Sequence, residues 1–228
     1  GVYGNPSALL QAGHSFQSLG VNAIFVRSTS LSADLYRTAR ENDVQVFVEF
    51  PLLNGKQYVD EHPEAWPLNE KGEKALPADW FMGVCPTDPG FRNYRFEQLH
   101  TILKEYEVDG IWLDYVHWHA QFETADPILP ETCFCQRCIN TFGREMDLKV
   151  PEGEITSRSA WILGKADSLW RVWRSKVLTR WVSDMKTAVK SVRPNALLGI
   201  FYCSWFPSDF NEALYRTLGL NLNELAGI

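Results

Sequence analysis

VDGIWLDY, residues 108–115, is the stretch on which the reading of this chain turns. It opens at Val108-Asp109, runs through Ile111, Trp112 and Leu113, and carries a carboxylate, Asp114, at its end. A short apolar run bounded by turn residues reads as a strand buried in a parallel sheet. Working outward, residues 91–106 are helical, with Tyr94, Leu99, Ile102 and Leu103 on one side. Further upstream, VQVFVEF (44–50) and NAIFVR (22–27) read as strands, and GVYG (1–4) as the stub of a first one. Helices fill the intervals at 8–19, ending at Gly20, and at 32–42, with Ser32 as N-cap. Downstream, one long helix is expected over 159–192. Its apolar positions, from Ile162 through Trp173 and Trp181 to Val192, recur every three or four residues, and Pro194 ends it. NALLGIFYC (195–203) is a fifth strand and 211–218 a short last helix.

Strands alternating with helices indicate an α/β fold with a parallel sheet. The long excursions, 51–90 and 116–151, both follow the carboxyl ends of strands, whereas the turns at the other ends are tight. That asymmetry predicts a (β/α)8 TIM-type barrel with its active face at the strand C-termini. A flavodoxin-like doubly wound sheet is the alternative, but its βα loops usually run about 2–6 residues. Five strands imply that this chain holds the N-terminal five of the barrel, as a single domain over 1–228. The barrel would then be incomplete at its C-terminus, the missing half supplied by further chain or by a partner such as a second copy.

The net charge of −6 (22 basic, 28 acidic residues) argues against a nucleic-acid partner and suits a neutral substrate. No apolar run approaches the roughly 20 residues of a membrane-spanning helix, so no membrane partner is expected. Nine Trp, eight Tyr and thirteen Phe serve either core packing or stacking platforms for sugar rings. Five cysteines are an odd number for a disulfide framework. Cys133-Phe-Cys135-Gln-Arg-Cys138 places three thiols on a loop-to-helix turn, which suits a zinc site lacking only a fourth ligand. A thiolate cluster favours a cytoplasmic location over an oxidising one. No organic cofactor is expected, and Cys203, on a strand, reads as a small core residue.

The cysteine segment, through Phe142, resembles the C-Y-C-x-x-C-x-x-x-F element of family-42 β-galactosidases. Its surroundings are similar too: LGVNAIFVR (19–27), HPEAWPLNEKGEKA (62–75), CPTDPGFRNY (85–94) and VDGIWLD (108–114) follow that family's order over about residues 1–150. The resemblance implies a glycoside-hydrolase barrel acting on carbohydrate. It also implies Cys85 as the fourth ligand of a structural zinc, beside Cys133, Cys135 and Cys138. The chain departs from the family at the fourth strand, which there ends in Asn-Glu with Glu as general acid/base. Here Asp114 is followed by Tyr115 and Val116. The strand end is more similar to barrel glycosidases that carry an Asp at this point, so the family-42 activity itself is not carried over.

Asp114 is the candidate catalytic group, as nucleophile or acid/base, because the last residues of a barrel strand project into the mouth. Arg27 and Glu49 end neighbouring strands and are read as substrate-binding or as a charge network with Asp114. His117, His119, Tyr202 and Trp205 complete the expected substrate-binding set, with Trp80 and Trp118 as weaker stacking candidates. Glycoside hydrolysis normally needs two carboxyl groups; Glu49, Glu131 and Asp209 are the fallback partners for Asp114. Two other readings stand beside the glycosidase. One is a carbohydrate-binding barrel without catalysis. The other is a metal-dependent hydrolase using His117 and His119, whose H-x-H spacing is similar to that of amidohydrolase barrels.

Overall fold

The computed structural model describes all 228 residues. In chain order the elements are β1 (Val2–Tyr3), α1 (Ser7–Gln11), β2 (Ala23–Arg27), α2 (Ala33–Glu41), β3 (Gln45–Pro51), α3 (Lys56–Glu61), α4 (Pro89–Glu105), β4 (Gly110–Asp114), α5 (Gln136–Glu145), α6 (Ile155–Lys165), α7 (Asp167–Val192), β5 (Leu197–Ile200), α8 (Ala213–Arg216) and α9 (Leu222–Ala226). They fall into two compact units. One comprises residues 1–52, 95–114 and 184–201; the other comprises 53–94, 115–183 and 202–228.

The first unit is built on a five-stranded, wholly parallel sheet in the order β1-β2-β3-β4-β5. A doubly wound sheet reverses its strand order at a switch point; here the order follows the chain, as a barrel requires. Curvature points the same way. Four strand spacings in a flat sheet would separate β1 from β5 by roughly 19 Å, yet the rings of Tyr3 and Phe201, at the ends of those strands, lie 5.8 Å apart. The sheet is strongly curled.

Alternation along the strands explains which residues face where. Ile24, Val26, Val46, Val48, Phe50, Ile111 and Leu113 are all buried. The opposite set, Phe25, Phe47 and Trp112, forms an aromatic cluster on the concave face, with Phe25 and Phe47 stacked at 4.7 Å and Trp112 edge-on to both. Two glycines make room for it. A Cβ at Gly110 would come within 2.8 Å of the Phe47 ring, and one at Gly199 within 2.3 Å of the Trp112 indole. At the amino ends of the strands, Asp109 accepts the Val46 amide at 2.7 Å and pairs with Arg40 at 2.9 Å, while Arg193 pairs with Glu107 at 3.2 Å. These contacts hold the connections from α2, α4 and α7 into the strands.

The second unit is mostly helix and loop around an aromatic core: Phe134, Phe142, Trp118, Trp170 and Trp173 are buried, with Trp170 stacked on Trp173 at 4.8 Å. Three of the chain's nine tryptophans thus serve packing here. Arg171, almost fully buried, binds Glu131 through two hydrogen bonds (2.7 and 2.9 Å) and Asp167 (2.8 Å). It also donates to the Arg216 carbonyl at 2.7 Å, which joins the loop before the cysteines to α7 and α8.

Several helix boundaries differ from expectation. The helix expected at 8–19 stops at Gln11, because Gly13 takes a left-handed φ of 88° one residue past the C-cap. The expected helix at 159–192 is two, broken at Ala166 (φ −132°), with the first beginning at Ile155. An unbroken apolar stripe does not report a local break of one residue, since both halves bury the same residue types. Ser32 caps α2 as expected, accepting the Leu35 amide at 3.2 Å.

Candidate active site and metal centre

In the sheet unit, the strand register brings the expected polar residues to one end and one face. Arg27 pairs with Glu49 across β2 and β3, and Glu49 with Trp112 across β3 and β4. Asp114 lies two residues beyond Trp112, so its side chain shares the face of Glu49 at the carboxyl ends of the strands. Arg27 Nε binds Glu49 Oε1 at 3.2 Å, and the Tyr3 hydroxyl donates to Glu49 Oε2 at 2.5 Å. Partial desolvation of a side chain that stays more than half exposed, followed by donation to Glu49, pushes the Tyr3 phenol up to about 12; the charges of Glu49 and Asp114 add to it. Tyr3 therefore remains a proton donor over the ordinary pH range. Glu49 is 2 % exposed, whereas the Arg27 side chain is 62 % exposed, so the guanidinium covers the carboxylate from the open side.

Tyr3 was absent from the sequence-derived set. The rule that nominated Arg27 and Glu49, a polar residue at a strand's carboxyl end, also applies to it, but a two-residue strand carries too little pattern to stand out. Of the three fallback carboxylates, Glu49 shares the face of Asp114, whereas the other two are engaged elsewhere: Glu131 with Arg171, and Asp209 as acceptor of the Phe206 amide at 2.8 Å.

In the second unit, the chain leaves β4 through Tyr115, which holds a φ of 55°. Left-handed backbone at an aromatic residue is costly and persists only where the surroundings fix it. Here they are rings: Trp80 at 5.6 Å, Phe81 at 5.4 Å and His117 at 6.3 Å. His117 Nδ1 lies 2.8 Å from the Trp118 carbonyl, which can only accept, so the proton sits on Nδ1 and Nε2 is left as an acceptor. Burial lowers its pKa to about 4. His119 Nδ1 accepts the Gly83 amide at 3.0 Å and Nε2 faces the Leu76 carbonyl at 2.8 Å, so both of its nitrogens bind backbone. Coordination of a metal by His119 would break one of these bonds. Trp118 is fully buried, its indole N–H bonded to the Arg174 carbonyl at 3.1 Å, which makes it core. Trp80 is 49 % exposed. Trp205 packs on Phe122 at 6.0 Å and on Phe210 at 4.3 Å, and Tyr202 is half-buried.

The four cysteines of the expected metal centre converge in the same unit. Cys85, Cys133, Cys135 and Cys138 are buried and unbridged, with all Sγ atoms within 4.8 Å of one another. Cys85 Sγ lies 3.4 Å from Cys138 Sγ and 3.7 Å from Cys135 Sγ. A tetrahedral zinc with Zn–S of about 2.3 Å needs sulfurs roughly 3.8 Å apart, so the residues present fit the ion closely. Backbone amides already point at the sulfurs: Leu68 N to Cys133 at 3.3 Å, and Cys138 N to Cys135 at 3.4 Å, where Cys135 is the N-cap of α5. Hydrogen bonds from Cys133, then its neighbours, hold the Cys85 thiol well below the usual range, while burial pushes those of Cys133 and Cys138 up. Four buried thiolates this close would repel one another; a divalent cation removes the conflict. The group can hold a metal.

No model of a known protein family matches the sequence, and no curated protein does. Solved structures do match. A cold-adapted β-galactosidase from Rahnella sp. R3 superposes with a TM-score of 0.64 at 14 % identity, over 98 % of this chain and 36 % of that one. The glycoside hydrolase domain of PgaB (BpsB) from Bordetella bronchiseptica gives 0.61 at 14 % identity, over 98 % and 70 %. α-L-Fucosidase isoenzyme 2 from Paenibacillus thiaminolyticus gives 0.55 at 15 %, over 85 % and 29 %. In fold the chain is similar to part of each of these glycoside-hydrolase structures. At these identities the likeness concerns the fold alone, and the chain spans about a third of the length of the β-galactosidase it matches. In a barrel of this kind, the end of the sheet bearing Tyr3, Arg27, Glu49 and Asp114 is the face at which active sites sit.

Proposed function

We propose that this chain carries part of the active site of a glycoside hydrolase, with Asp114 as nucleophile or general acid/base. The observation that supports this reading is the placement of Asp114 on the face and strand end that also present Arg27, Glu49 and Tyr3, in a fold shared with glycoside hydrolases. Arg27 offers donors to substrate hydroxyls, and Tyr3 keeps Glu49 oriented on the same face. Trp205, Tyr202 and His117 are candidate carbohydrate contacts; His119 acts by fixing the loop at Gly83. The four thiols hold a structural zinc, since four protein ligands leave no open position for chemistry.

Replacing Asp114 by Asn is nearly isosteric and removes the charge that would attack or protonate the glycosidic bond. In the full-length protein, Asp114→Asn should lower hydrolysis of aryl glycosides by about 10²–10⁴-fold while leaving thermal unfolding unchanged. Undiminished turnover in that variant would remove Asp114 from the mechanism. A second reading, a carbohydrate-binding barrel without catalysis, is favoured by the engagement of Glu131 and Asp209 in structural bonds. Glycan binding with no hydrolysis by the full-length protein would establish it.

A further inference from the structure

The backbone serves two of the four clustered sulfurs: Cys133 Sγ accepts the Leu68 amide at 3.3 Å, and Cys135 Sγ accepts the Cys138 amide at 3.4 Å. No amide reaches Cys85 Sγ or Cys138 Sγ, which share one side-chain hydroxyl instead. Thr87 Oγ1 lies 3.2 Å from Cys138 Sγ and 3.3 Å from Cys85 Sγ. A third neighbour decides how that hydroxyl is used. Arg137 Nε donates to the same oxygen at 3.3 Å. A guanidinium N–H can only donate, so the oxygen accepts there and its own hydrogen is left for a sulfur.

The guanidinium is itself held in place. Arg137 Nη2 pairs with Asp88 Oδ2 at 2.8 Å and donates to the Glu64 carbonyl at 3.3 Å. Asp88 is 4 % exposed; its Oδ1 accepts the Phe91 amide at 2.8 Å, and its own amide donates to the Cys85 carbonyl at 3.0 Å. The Trp181 indole N–H binds the Pro86 carbonyl of the same turn at 2.8 Å. Residues 85–88 therefore present a ligand, a hydroxyl and the carboxylate that orients the guanidinium behind it. Four thiolates around a divalent ion leave negative charge in a buried place, and such charge is costly unless hydrogen-bonded. We propose that Thr87 is a positioning residue of the metal centre, its hydroxyl donating to the sulfurs of Cys138 and Cys85 while Arg137 polarises it from behind. This rests on the reading of the four thiols as a metal site, and assigns a role there to two residues that are not ligands. Hydrogen-bond partners of metal ligands commonly contribute 10–100-fold to affinity.

The test strips the protein of metal and refills it with zinc or cobalt(II). Zinc affinity is read by competition with a chromophoric chelator, and the thiolate-to-cobalt charge-transfer band reports the electron density on sulfur. Thr87→Val is nearly isosteric and removes the hydroxyl. It should weaken zinc binding about 10–100-fold and move the band to longer wavelength, because a sulfur that loses a donor gives up its electron more readily. Thr87→Ser should restore both. Arg137→Met, at a side chain 31 % exposed, should move the band in the native background and leave it in place in the Thr87→Val background. It decides the matter alone if the Val variant does not fold. An unmoved band in Thr87→Val and Arg137→Met, even with weaker binding, would reduce Thr87 to a turn residue and overturn the proposal. Equal shifts from Arg137→Met in both backgrounds would overturn the relay through the hydroxyl. Uptake of neither metal by the native chain sinks the metal reading and this proposal with it, whereas normal uptake indifferent to Thr87→Val sinks this proposal only.

Discussion

Gly199 shows how a single residue can hold the concave face together. The Trp112 indole occupies the space where a side chain at 199 would be, as close as 2.3 Å to a Cβ there, and the ring is wedged edge-on against Phe25 and Phe47. Gly199→Ala should therefore destabilise the protein by about 1–3 kcal/mol through overpacking, read as a lower urea midpoint with unchanged slope. An unaltered midpoint would mean that Trp112 has somewhere else to go. The buried histidines make a second prediction. The folded pKa of His117, lowered to about 4 by burial, lies below its unfolded value near 6.5, and burial lowers that of His119 as well. The unfolded chain then binds more protons between those values, so this stability is complete above about pH 6.5 and is lost as pH falls towards 4. His117 alone accounts for about 3 kcal/mol of that loss. His117→Asn should flatten the pH dependence of the unfolding free energy in this window; an unchanged slope would assign the acid sensitivity to other groups.

At the scale of elements, α5 is the clearest case of structure held by side-chain chemistry. Its N-cap is a cysteine whose sulfur accepts the Cys138 amide, and its first turn carries Cys138 itself. Arg137, between them, donates to Thr87 at 3.3 Å and pairs with Asp88 at 2.8 Å, so the loop holding Cys85 is tied to the same turn. Metal binding to such a set is folding free energy. Purified protein should contain about one zinc per chain by elemental analysis. Cys135→Ser, or a strong chelator, should lower the melting temperature and release the α5 amides to hydrogen exchange before those of β3. Metal-free protein with α5 fully protected would show that hydrogen bonding among the thiols suffices.

For the whole molecule, the sheet has two edges, β1 and β5, and a concave side on which Tyr3 is 58 % exposed, Leu197 55 % and Phe201 37 %. Unpaired edges beside apolar side chains are templates for association. The 228-residue chain should self-associate with rising concentration in sedimentation experiments, and Leu197→Lys should suppress this. A monomer at every concentration would show that edge and face are protected. No helix is long and apolar enough to cross a membrane.

The pattern of residues by itself determined the strands and their order. VQVFVEF and VDGIWLDY carry enough β-branched and aromatic residues between turns to be strands in almost any setting, and long loops at one end of each mark the barrel's face. It also pointed to three of the four clustered cysteines through their C-x-C-x-x-C spacing, whereas Cys85 is expected only from the resemblance to family-42 β-galactosidases. Only the tertiary structure decided what the polar residues do. Whether Glu131 is a spare carboxylate or Arg171's partner depends on residues 40 positions apart meeting. Whether His119 is free depends on the backbone at Leu76 and Gly83, and whether Gln121 is satisfied depends on where its amide can reach. Periodicity reports which side of an element is apolar, a property of neighbours in sequence. Hydrogen bonding and cavity shape are properties of neighbours in space, and no local pattern encodes them.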